Sequence, residues 1–320
     1  MRLTALLLYA FIPIAGLAQK DAPSETSQPT EIDPTEQAYQ QLLALDDEAL
    51  TKIDEWIRDS QRPDATDAES IAIMGKVRAE IRPVREAYDE FIKEHPEHAR
   101  ARLTYASFLT DIGEEQTALA HLIKATELDP NLPAAWNNLA NYYGHYGDVK
   151  KAFVHYEKAI AIKPDESIYY HNFGTTVFLF RKDVKEHYKI TEEEVFDKAL
   201  ALYKQAQGLD PQNFDLAEDI AQTYYGIRTK DAPTRMARPQ EALKAWRYAE
   251  GIAPSEFEKQ GVYIHLARVY IDLRDLQKAE EQLRKITLPV YQELRDRIAR
   301  RVPGYDPEKL PALPTPVDSL

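Results

Sequence analysis

Residues 136–164 read WNNLANYYGHYGDVKKAFVHYEKAIAIKP. Asparagines, tyrosines and two histidines crowd together there as they do in active sites, yet their spacing is that of a packing surface. Trp136, Leu139, Ala140 and Tyr143 fall three, one and three residues apart, on one face of a helix. After Gly147, Ala152, Tyr156 and Ala159 make a second such face, and Pro164 stops it. Small side chains alternating with large ones let a neighbouring helix approach closely and interlock.

The pattern recurs on both sides. Counting back from Pro130, Pro164, Pro211 and Pro254, the fifth residue is Ala125, Ala159, Ala206 or Ala249, and the twelfth is Ala118, Ala152, Ala199 or Ala242. The eighth is large each time: Leu122, Tyr156, Tyr203 or Trp246. The helix upstream repeats too, as Tyr105-Ala106-Leu109, Phe173-Gly174-Val177, Ile220-Ala221-Tyr224 and Leu266-Ala267-Tyr270. Gly113 and Gly147 stand where a tight helix-to-helix turn calls for positive φ.

With these residues in register, the sequence resembles the tetratricopeptide repeat family, whose unit of about 34 residues reads W-x-x-L-G-x-x-Y, then A, F and A, then P. Residues 133–166 fit best, with Ala140 where the pattern has Gly. The resemblance covers 99–289, roughly 60% of the chain. It implies an all-α, right-handed superhelical solenoid of antiparallel helix pairs whose first helices, the A helices, line a concave side. The units expected are 99–132, 133–166, 167–213, 214–256 and 257–291. An N-terminal helical segment at 36–98 precedes them, with a helix restart near residue 46 and a kink or break at Pro83. A capping helix at 292–302 and a Pro-rich tail at 303–320 follow.

The third and fourth units exceed the 34-residue period between helix A and helix B. RKDVKEHYKITEEEV reads as helix on both sides of Thr191, which with Glu194 makes a capping box for a lengthened second helix. IRTKDAPTRMARPQ, with two prolines and four basic residues, reads as a basic loop. The two insertions are expected side by side on one edge.

Composition limits the function classes. The 320 residues carry a formal charge of −13, against the basic stripe that nucleic acid requires. Residues 1–18, a charged start, an apolar run and small residues, read as a secretory signal peptide, followed by a disordered linker at 19–35. Export to the periplasm or beyond is therefore expected, with membrane association only through an uncleaved signal or a membrane partner. With no cysteine, stability has to come from packing.

The expected site is the concave lining. Inward positions give Asn137, Asn138 and Asn141, then His171, Asn172 and Thr175, then Asp215, Glu218, Asp219 and Gln222. The asparagines offer donor and acceptor to an extended peptide, and the acids favour a basic segment; the asparagines also read as a solvated helix face needing no ligand. Leu103, Ser107, Asp215 and Asp219 depart from the Lys/Asn/Arg clamp with which some family members hold chaperone C-termini. His95 and His98 in EHPEH lack a third metal ligand, and no nucleophile or phosphate loop is present. The expected function is a non-enzymatic adaptor or scaffold that binds protein or peptide, without cofactor or metal. The alternatives are a structural subunit of an envelope secretion or assembly complex acting through its insertions, and, third, a small polar ligand carrier or an enzyme of unrecognised site.

Overall fold

Spacings of three and four in the sequence are realised as helix almost throughout. The computed structural model describes residues 33–60, 66–226 and 232–304, and among these are fourteen α-helices and no strand. The fold class is all-α. The expected signal peptide, nearly all of the linker and the tail beyond Gly304 lie outside the described residues. The chain divides into two units, 1–142 and 143–320.

In the first unit, α1 (Pro34–Ser60) runs without interruption, where a restart was expected. Its acidic stretch at 46–48 lies between the buried Leu42 and Ala49, so packing carries the helix through. Antiparallel to it lies α2 (Asp67–Glu94), started by a capping box of Thr66 and Glu69. Pro83 sits inside α2 without dividing it; the lost backbone bond is offset by the fully buried Val84 and Tyr88 that follow. The next pair is α3 (Ala99–Asp111) and α4 (Glu115–Leu128). His98 caps α3, its Nδ1 accepting from the Ala101 amide at 3.0 Å, while its ring packs on Tyr39 and Phe91. The EHPEH histidine pair thus serves a helix junction. Gly113, at φ +80°, makes the α3–α4 turn as expected.

A half-buried carboxyl ties α1 to α2. Asp46 accepts the Tyr88 hydroxyl at 2.5 Å, and its other oxygen is buried without a partner. Burial, then the charge of Asp47, outweighs that hydrogen bond and raises the carboxyl from 3.8 to about 6. Burial, then Asp46 and Asp54, raises Asp111 to about 7. Both folded values exceed the unfolded ones, so the stabilisation is complete below about 4 and is lost as pH rises through 6 to 7. Asp46→Asn keeps the acceptor for Tyr88 and removes the charge. We expect it to stabilise the chain at pH 7.5 by at most about 3 kcal/mol and to have little effect at pH 4. Urea midpoints of both proteins at the two pH values check this; equal differences at both would refute it.

The boundary between units falls inside α5 (Pro133–Tyr146). In the second unit follow α6 (Val149–Ile162), α7 (Ser167–Leu179), a short inserted α8 (Arg181–Tyr188) and α9 (Glu192–Leu209). Then come α10 (Phe214–Gly226), α11 (Ala232–Ile252), α12 (Glu256–Asp272) and α13 (Leu276–Arg284). A 3-10 turn (Pro289–Tyr291) leads into α14 (Gln292–Ala299), which packs on α12 and α13. The repeated alanines are what the spacing requires: Ala152, Ala159, Ala199, Ala206, Ala242 and Ala249 are all buried here, as are Ala118 and Ala125 in the first unit.

Three local expectations are corrected. Gly147 does not adopt positive φ; a Cβ there would stand 2.8 Å from the Tyr143 ring, so close approach is what requires glycine. Trp136 is partly exposed, with Nε1 donating to the Pro130 carbonyl at 2.9 Å. Its replacement by Ala therefore costs less than the roughly 3 to 5 kcal/mol that full burial implies. The basic insertion is helical from Ala232 onward: Pro233 falls in the first turn, where a missing amide is tolerated, and Pro239 lies inside the continuing helix.

Candidate functional site

The capping box at Thr191 forms, with Thr191 N donating to Glu194 at 2.7 Å and Glu194 N to the Thr191 hydroxyl at 3.3 Å. It starts α9 one turn before its buried face begins at Val195. The two insertions do lie together, because Arg238 of α11 reaches Glu193 of α9 at 3.5 Å. Beside them a hollow of about 410 Å³ is lined by Leu179, Phe180, Arg181, Lys185 and Glu192, and Leu179 is 58% exposed. Arg181 lies over the Phe178 and Phe196 rings.

The asparagines of α5 behave differently from one another. Asn137 and Asn141 are buried, at 4% and 8% exposure, and offer a ligand little surface. Asn138 is partly exposed; it accepts from Asn137 and donates to the Ser107 hydroxyl of α3, both at 3.2 Å. Ser107 in turn donates to the Leu103 carbonyl, and Leu103 is buried.

In the second unit the expected residues of α7 and α10 remain at the surface. His171, Asn172, Thr175 and Asp219 are partly exposed, while Asp215 and Gln222 are exposed. Asp219 meets His171 Nε2 at 2.8 Å, joining α7 to α10. Thr175 accepts from the Tyr203 hydroxyl of α9 at 3.1 Å. Glu218, half-buried between them in sequence, has its carboxyl raised to about 7 by burial first and then by Asp215, Asp219 and Glu258.

The remaining histidines have structural partners. His155 stacks on Tyr143. His265 stacks on Trp246 with ring centres 4.0 Å apart, and burial, then Arg268, lowers it to about 4. Among the described residues no group of three His, Cys, Asp or Glu side chains is placed to hold a metal ion, and no helix is long and apolar enough to cross a membrane.

Comparison with known families places these helix pairs. Tetratricopeptide repeat families match residues 133–166 and 261–287. These two segments are tetratricopeptide repeats. The array is similar in fold to YrrB, described as a TPR protein with an unusual peptide-binding site. That likeness has 21% identity and a TM-score of 0.50, over 68% of this chain and 99% of YrrB. It is also similar to PilW, described as a widely conserved type IV pilus biogenesis factor. There identity is 14% and the TM-score 0.53, over 72% of this chain and 95% of PilW. No curated protein matches the sequence. At these identities the likeness is one of fold.

Proposed function

We propose that this chain is an exported, non-enzymatic adaptor that captures extended segments of a partner protein on the A-helix faces of its repeats. The observation that carries the reading is the polar surface of α7 and α10. There Asn172, Thr175, Asp215 and Gln222 stay accessible around the His171–Asp219 bridge, while Phe173 and Val177 of α7 and Leu216, Ala217, Ile220 and Ala221 of α10 are buried in packing. Short amides and carboxylates on a rigid helix offer both hydrogen-bond senses to a peptide backbone. Export rests on the layout of residues 1–18.

The test is the combined replacement of Asn138, Asn172 and Gln222 by Ala, which avoids the buried Asn137 and Asn141. Partner capture from an envelope extract is expected to be lost while far-UV circular dichroism stays that of the folded chain; unchanged capture sinks the reading. The juxtaposed insertions, with their hollow and exposed Leu179, favour a second reading in which the chain is an assembly subunit holding its partner by that edge. In that case deletion of 181–190 abolishes capture and the triple alanine variant does not.

A further inference from the structure

The last repeat carries an apolar ledge that the described helices leave open. Phe257, in the first turn of α12, is 50% exposed, and Val290, in the 3-10 turn, is 65% exposed. Between them Tyr291 leans back over α12. Its ring centre is 5.2 Å from that of Phe257, and its hydroxyl would lie 3.1 Å from a Cβ at Gly261. Burial, then the charges of Glu218 and Glu258, raises the Tyr291 phenol, so both carboxylates face the same ring.

The electrostatics of this corner are one-sided. The charged groups facing Glu218 are Asp215 and Asp219 from its own α10 and Glu258 from α12, with Tyr291 from the 3-10 turn. Asp219 is engaged by His171, and Glu258 accepts from the Ser255 hydroxyl. Among the described residues no Lys or Arg is paired with Glu218. A half-buried carboxyl with three acidic neighbours is relieved by a cation brought from outside, since an opposite charge within about 4 to 6 Å favours the ionised form. The ledge beside it is apolar and built around a pair of aromatic rings, the kind of surface on which an apolar anchor gains most. A second copy of this chain would bring the same acids against these and is disfavoured by like charge.

We propose that this ledge docks an extended partner segment carrying a lysine or arginine next to a large apolar residue, with the cation on Glu218 and the apolar side chain across Phe257, Tyr291 and Val290. The proposal rests on the adaptor reading and names the chemistry of its ligand.

Calorimetric titration of the full chain at pH 7 with acetyl-Gly-Lys-Lys-Phe-Leu-Gly-amide and its Glu-Glu twin tests it. The basic peptide is expected to bind at least about tenfold tighter. Phe257→Ser and Glu218→Gln should each weaken it about tenfold without lowering the melting temperature. Comparison of two buffers of different ionisation enthalpy should show release of roughly half a proton in the wild type and none in Glu218→Gln, because the cation ionises a half-protonated carboxyl. Equal binding of the two peptides, wild-type affinity in both variants, or no binding of either peptide overturns the proposal. In each of those cases the adaptor reading still stands if the Asn138/Asn172/Gln222 variant loses its partner, so the two failures are separable.

Discussion

Trp246→Ala is expected to destabilise the second unit by about 3 to 5 kcal/mol, the range for removing a large ring from a closed core. Trp246 is fully buried in a cluster fed by α10, α11, α12 and α13. Ala242 and Ala249 flank it on its own helix at spacings of four and three, and its ring lies almost parallel to His265 and near Tyr225. None of these neighbours is long enough to refill the space, so little of the cavity collapses. Trp246→Phe should cost far less, because it keeps much of the stack and removes an indole N–H that is buried without a partner. Chemical denaturation followed by far-UV circular dichroism measures both, and equal losses in the two variants would contradict the cavity argument. The cavity also has a proton signature. His265 is held at about 4, below its unfolded value, so its contribution is complete above about 6.5 and is lost as pH falls toward 4. Opening the stack to water returns the His265 titration, read by NMR, toward its ordinary value.

Gln260→Leu is the second large effect, expected at roughly 2 to 6 kcal/mol from two backbone donors losing their acceptor at about 1 to 3 kcal/mol each. Gln260 is buried on α12. Its Oε1 accepts from the Thr287 and Leu288 amides, both at 2.8 Å, and its Nε2 donates to the Thr287 hydroxyl at 3.0 Å and to Glu256 at 2.9 Å. One side chain therefore holds the segment that leads from α13 to the cap. Buried Arg295 of α14 closes the same segment by donating to the Ile286 carbonyl. The substitution preserves volume, so the loss is one of hydrogen bonding. Hydrogen exchange should show the Thr287 and Leu288 amides losing protection together with α14. A midpoint shift under about 0.5 kcal/mol would mean that water replaces the amide.

Much of the helical pairing was legible because its cause is local. An alanine twelve residues before a proline and another five before it, with a large residue between, lie on one helix face whatever surrounds them; the structure buries all eight alanines. The capping boxes at Thr66 and Thr191 involve residues three apart, and only the second was read from the sequence. At residue 46 and Pro83, where a restart and a kink or break were expected, the helices run undivided for a shared reason. Acidic residues and prolines lower helix propensity by amounts that burial of neighbouring turns exceeds, and burial is not a property of the segment itself. The ledge of Phe257, Val290 and Tyr291 left no periodic signal, since it is assembled from the start of one helix and a turn about thirty residues later.

The sequence by itself determined that the chain is all-α, that it is built from repeated helix pairs, and which face of each helix is packed, because small and large residues at spacings of three and four dictate these at the level of a single helix. Only the tertiary structure decided how the polar remainder divides. Three asparagines within five residues are chemically alike, yet Asn137 and Asn141 are buried and Asn138 is left partly open. Likewise Asp219 finds His171 from 48 residues away, while Glu218 beside it faces only acids. Exposure and charge environment are set by whichever helix packs alongside, and that neighbour is supplied by the fold.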